Sequence, residues 1–93
     1  GGGTRLKILE AMAMEKPVVT TSIGAEGLMF KDNDQLFIAD DQVDFAEKIN
    51  LLISNNHIAT RMVNVAKEAV LNLYDWESIR ARVGNMIPKY IDI

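Results

Sequence analysis

The chain has 93 residues, of which 10 are basic and 13 acidic, giving a formal charge of −3, and it contains no cysteine. This length suits one small domain, and 48% apolar with 25% charged residues is a globular composition. A mildly acidic chain without a basic block is a poor partner for nucleic acid. The lack of cysteine excludes disulfides and thiolate metal sites and fits a cytoplasmic protein, and no run approaches the ~20 apolar residues of a membrane span.

The chain begins GGGTRLKILEAMAMEKP, residues Gly1–Pro17. From Thr4 onward, Leu6, Ile8, Leu9, Ala11, Met12, Ala13 and Met14 leave almost no polar face, which predicts a helix enclosed by other layers. Lys7, Glu10 and Met14 share one stripe at three- and four-residue spacing. A carboxylate on such a helix is costly to desolvate unless it is paired or hydrogen-bonded. The glycines permit close backbone approach, and the helix start after them offers unpaired N–H groups and a positive dipole end. Together these features describe a phosphate cradle with an acid about two turns further in. The competing reading is a flexible glycine lead before a helix whose Glu10 bonds a neighbouring backbone group or an arginine.

Glu15-Lys16-Pro17 stops this helix, because proline biases Lys16 away from helical conformation. Pro17–Thr21 is a β-branched run without alternation, the pattern of a strand covered on both faces in a parallel sheet. A helix leading directly into such a strand is an αβ unit, and it implies a further strand feeding the helix. Ser22–Leu28 is expected to be a glycine-punctuated loop at the carboxyl end of the strand, where ligands gather in open α/β sheets. Glu26 within it reads as a solvated turn acid. Lys31–Asp34 is turn material without calcium-loop spacing, so no metal is expected. Gln35–Ala39 predicts a second short strand, and Asp41 the N-cap of a helix from Gln42 with Phe45, Ala46, Ile49, Leu52 and Ile53 on one face. Ser54-Asn55-Asn56 breaks that helix and caps the next, with His57 in its first turn as a surface residue. The following helix, roughly 58–74, carries Ile58, Met62, Val65, Ala66, Ala69, Val70 and Leu73 at helical spacing. Asp75 is then expected to cap a closing helix with Trp76, Ile79, Val83, Met86 or Ile87, and Tyr90 on one stripe, ended by Pro88. Arg80, Arg82 and Lys89 form its solvated side. The five methionines read as core filling.

The run G-G-G-T-R-L-K-I-L-E-A-M-A-M-E-K-P-V-V resembles the donor-site segment of the group 1 (family 4) glycosyltransferases, which face two Rossmann-like domains across a cleft. Glu10 matches the second acid of that family's E-x7-E pair, and the match continues through S-I-G-A-E-G-L and A-D-D-Q-V-D-F-A-E-K-I. The resemblance implies an α/β fold, here the C-terminal part of a nucleotide-sugar-binding domain in which residues 1–93 are an incomplete Rossmann-like unit. It implies that Glu10 bonds the ribose hydroxyls of a nucleoside diphosphate sugar, and that Gly2, Gly3, Thr4, Arg5, Leu6 and Lys7 meet the diphosphate at the helix start. It departs from the family at Gly2, which stands where the first acid of the pair contacts the transferred sugar.

The function implied is therefore glycosyl transfer, of hexosyltransferase type, by a parent enzyme that also carries an N-terminal acceptor domain. No general base, nucleophile or cofactor is expected in this segment, so the isolated chain is expected to be inactive. Two other readings share the pattern: a nucleotide-sugar epimerase of the same architecture, and a degenerate, non-catalytic transferase module. The expected location is cytoplasmic, with a peripheral membrane position open to the full-length enzyme. Two short strands are few for an independent sheet, so self-association through an unpaired edge or the closing helix is also expected.

Overall fold

In the computed structural model, the residues described are 2–74, 77 and 81. Their elements run α1 (Gly2–Ala13), β1 (Val19–Thr20), α2 (Ser22–Ala25), β2 (Phe37–Ile38), α3 (Gln42–Ser54) and α4 (Asn56–Leu73). The two strands are parallel, with Val19 opposite Phe37 and Thr20 opposite Ile38. The amides of Phe37 and Ala39 donate to the carbonyls of Val18 and Thr20 at 3.0 and 2.9 Å. The mixed α/β fold expected from the sequence is present, and it agrees with part of a Rossmann-like domain.

Helix α1 is the centre of the molecule. Ile8, Leu9 and Met12 are buried and meet Val18, Phe30 and Leu36 from the sheet side, together with Ala66 and Val70 from α4. Thr4, Arg5 and Lys7 are exposed, so the polar face lies almost wholly in the first two turns. The helix ends in a Schellman motif. The Lys16 amide donates to the Ala11 carbonyl at 2.9 Å and the Glu15 amide to the Met12 carbonyl at 3.1 Å, with Glu15 left-handed at φ 60°. That turn releases the chain into Pro17 and β1.

Four expectations are corrected. The helix expected to start after the glycines starts within them: Gly2 and Gly3 already belong to α1. The segment after β1 is a short helix, with the Thr21 hydroxyl accepting from the Gly24 amide at 3.0 Å as its cap. Each strand is two residues long, because Pro17 lacks an N–H and the Asp32–Leu36 loop holds the approach to β2 in turn geometry. The face of α3 is not a buried seam: none of its residues is buried, and Ile53 is 78% exposed.

The caps at α3 and α4 stand as expected. Asp41 accepts from the Asp44 amide at 2.8 Å. Asn55 closes α3 with its own amide and opens α4, accepting from the Ile58 amide at 3.1 Å through its side chain. Along α4, Met62, Ala66 and Val70 are buried, whereas Leu73 is 47% exposed. Of the methionines, Met12 and Met62 fill the core, Met14 is half-buried and Met29 is exposed. The expected closing helix, with Trp76, Ile79, Arg80, Arg82, Val83, Met86, Ile87, Pro88, Lys89 and Tyr90, lies outside the described residues.

Candidate functional site

The candidate site is the first turns of α1 together with the turns that leave the two strands. Gly2, Gly3 and Thr4 occupy the first turn of α1, where backbone N–H groups have no partner within the helix and the dipole is positive. Leu6 and Lys7 lie a turn further in. Lys7 is exposed and Leu6 half-buried, so the amides nearest a ligand at the helix end are those of the glycines and Thr4. Glu10 is the one buried charged side chain among the described residues, at 5% exposure. No buried side-chain nitrogen or oxygen among those residues is left without a hydrogen-bond partner. Lys7 and Glu10 share a stripe, yet one is exposed and the other buried, because the stripe crosses from the open end of the helix into its covered middle.

Two groups that sequence spacing does not bring together complete the surroundings. The Arg5 guanidinium reaches back over the turn after α2, its Nη1 3.4 Å from the Glu26 carbonyl. A Cβ added to Gly27 would stand 2.3 Å from that nitrogen, and Gly27 is itself left-handed at φ 86°. The left-handed backbone favours glycine there, while the exposed, flexible tip of Arg5 would have to move to admit a side chain. Arg5, Leu6, Leu9, Gly27, Leu28 and Tyr74 line an open cleft of about 410 Å³ beside α1. Tyr74 is fixed there, its hydroxyl accepting from the Met29 amide at 3.1 Å and its ring 5.7 Å from that of Phe30.

At the carboxyl end of the sheet, the Ser22 amide donates to Asp40 Oδ1 at 2.8 Å and the Ser22 hydroxyl to Asp40 Oδ2. The hydroxyl bond, then the amide bond, hold the Asp40 carboxyl below its ordinary value, against a smaller opposing effect of burial. Glu26 is exposed, as expected of a turn acid, and His57 is exposed on the first turn of α4. Among the described residues no group of three or more His, Asp or Glu side chains could hold a metal ion, and no helix is long and apolar enough to cross a membrane.

The described residues thus form an α/β unit whose central helix begins at Gly2 and carries one enclosed acid, Glu10. The family model for glycosyl transferases of group 1 matches residues 1–55, and the chain belongs to that family. The chain is also 49% identical, over 49 residues and 53% of its length, to a Klebsiella pneumoniae protein described as an "Uncharacterized 44.6 kDa protein in cps region". It spans 13% of that relative's length. No solved structure matches the chain significantly.

Proposed function

We propose that this chain supplies the donor half-site of a glycosyltransferase, binding a nucleoside diphosphate sugar at the start of α1. The observation that carries the reading is Glu10, enclosed at 5% exposure inside the segment matched by the family, two turns from the helix end. In this reading the Glu10 carboxylate accepts hydrogen bonds from ribose hydroxyls. The amides of Gly2, Gly3 and Thr4 meet the diphosphate, with Arg5, Leu6 and Lys7 around it. During transfer the bond between the sugar's anomeric carbon and the diphosphate oxygen breaks while a bond to an acceptor oxygen forms. Negative charge then builds on the leaving diphosphate, and N–H donors fixed at a helix end stabilise it without having to reorganise. The parent enzyme is taken to be of hexosyltransferase type, with the acceptor held by a separate domain.

The reading makes the isolated chain a binder without turnover. Titration with uridine and guanosine diphosphates, followed by an activity assay over a panel of nucleotide sugars, tests both halves. Binding without turnover is the expected result. Turnover by the chain alone would overturn the half-site assignment, and absence of binding would favour a non-catalytic module, the reading to which Gly2 in place of an acid lends support. An epimerase would instead interconvert the sugar without an acceptor, which the same assay detects.

A further inference from the structure

We infer that Ser22 and Asp40 form the part of this site that reads hydroxyl groups of the transferred sugar, an inference that rests on donor binding at the start of α1. Because β1 and β2 are parallel, the chain leaves both strands at the same edge, with Thr20-Thr21-Ser22 beside Ala39-Asp40. In open α/β sheets that edge is where ligands lie. The Ser22 amide and hydroxyl hold one carboxylate oxygen each, so the Asp40 carboxylate is fixed in orientation while the residue stays exposed. A carboxylate offers roughly four acceptor positions, and about two remain for outside donors. The Ser22 oxygen, while donating its O–H to Asp40 in a hydrogen bond, keeps lone pairs of its own. This is an array of acceptors with fixed spacing, suited to adjacent hydroxyls.

Gly24 of α2 stands between the strand ends and the first turn of α1. A Cβ there would meet Thr20 Oγ1 at 2.3 Å, Thr21 Oγ1 at 3.4 Å and Thr4 Cγ2 at 3.6 Å. The tight approach is therefore to Thr20 of β1, with Thr4 of α1 at ordinary van der Waals distance. Thr4, Gly24, Ser22 and Asp40 form a continuous path from the helix-end amides to the carboxylate. A diphosphate seated on those amides places its attached sugar next along that path. The low proton affinity of Asp40 keeps it ionised and able only to accept at neutral pH.

The test compares pairs of ligands that differ only in the sugar. Uridine diphosphate is titrated against uridine diphosphate glucose, and guanosine diphosphate against guanosine diphosphate mannose, into the wild type, Ser22→Ala and Asp40→Asn. The expected result is near-constant affinity for the free diphosphates and a drop of at least tenfold for the sugar-bearing partner of whichever pair binds. Equal losses for both members of a pair, or no loss for either, overturn the inference while leaving donor binding intact. Failure of every diphosphate to bind the wild type overturns the donor reading, and this inference with it. Thermal melts check folding. Should Asp40→Asn not fold, Ser22→Ala, which removes one hydroxyl, decides the matter alone.

Discussion

Glu10 lies inside α1 and Glu15 in the turn just past its end, and they carry opposite kinds of cost. Glu10 is enclosed, and an enclosed carboxylate persists only where hydrogen bonds repay its desolvation. If a ribose is among its partners, Glu10→Gln replaces an acceptor by a donor where the ligand's hydroxyl donates. A charge-assisted bond contributes about 1.5–3 kcal/mol, so nucleoside diphosphate affinity is expected to fall roughly ten- to hundredfold. Calorimetric titration reads this directly, and unchanged affinity with a lowered melting temperature would assign Glu10 a purely structural role. Glu15 is exposed and carries its cost in the backbone, with φ at 60°. A left-handed residue with a Cβ is disfavoured by about 1–2 kcal/mol, and glycine removes that term while enlarging the unfolded ensemble. The Lys67–Glu15 pair at 3.2 Å would be lost, but both partners are substantially exposed and such pairs contribute little. Glu15→Gly should therefore stabilise the fold by roughly 0.5–1 kcal/mol in urea titration. A loss of stability would show that the ion pair outweighs the strain.

At the scale of elements, the junctions carry the sharpest predictions. Asn55 ends α3 and opens α4, and its side chain satisfies the Ile58 amide. Asn55→Ala is expected to cost about 1 kcal/mol, like other lost N-caps, with the helices otherwise unchanged. Circular dichroism during denaturation measures it, and a neutral substitution would mean that water replaces the cap at no cost. The clasp between the two strand-end turns gives a pH effect. The folded-state value of Asp40 is depressed, so its contribution is complete above the unfolded-state value of 3.8 and is lost as pH falls through the lower folded value. Lys48 is raised by its hydrogen bond to Asp44, with desolvation opposing, so its contribution is present below 10.5 and lost as pH rises through the higher folded value. The acid limb of the stability curve should be shallower in Asp40→Asn than in the wild type, and identical limbs would remove Asp40 from the account.

These junctions also show what a linear reading of the chain can reach. Asp41 and Asn55 were legible because a cap acts on an amide three residues away. The enclosure of α1 was legible from its nearly complete apolar circumference, and with it the unusual setting of Glu10. The shortness of the strands was not, because their ends are decided by the backbone pairing of distant segments. Nor was the placing of Arg5 on the Glu26 carbonyl or of Ser22 on Asp40, contacts that join residues 21 and 18 positions apart. The open face of α3 was misread for a related reason. Helical spacing marks an apolar stripe, while burial depends on whether another element lies above it.

For the whole molecule that stripe has a physical outcome. Val43, Ile49 and Ile53 stand exposed on α3, beside an apolar groove of about 250 Å³ whose walls include Pro17, Val19, Phe45 and Leu52. Among the described residues β1 is hydrogen-bonded along one edge, to β2. An apolar face next to an open strand edge favours association between copies. Sedimentation at micromolar concentration is expected to show species larger than the monomer. A single monomeric boundary accompanied by a cooperative melt would refute this.

The packing of α1 against α4 joins segments that leave the ribosome at different times. The core joins Ile8, Leu9 and Met12 to Ala66 and Val70, so α1 waits for a helix translated well after it. About 60 residues separate those partners, which at ~5–20 residues per second leaves α1 without α4 for roughly 3–12 seconds. The matched segment stops at residue 55, one position before α4 begins, so the boundary of family likeness falls inside the folding unit. A ribosome that paused there would present α1 with its sheet-side neighbours but without α4, leaving one apolar side of the helix for a holding chaperone.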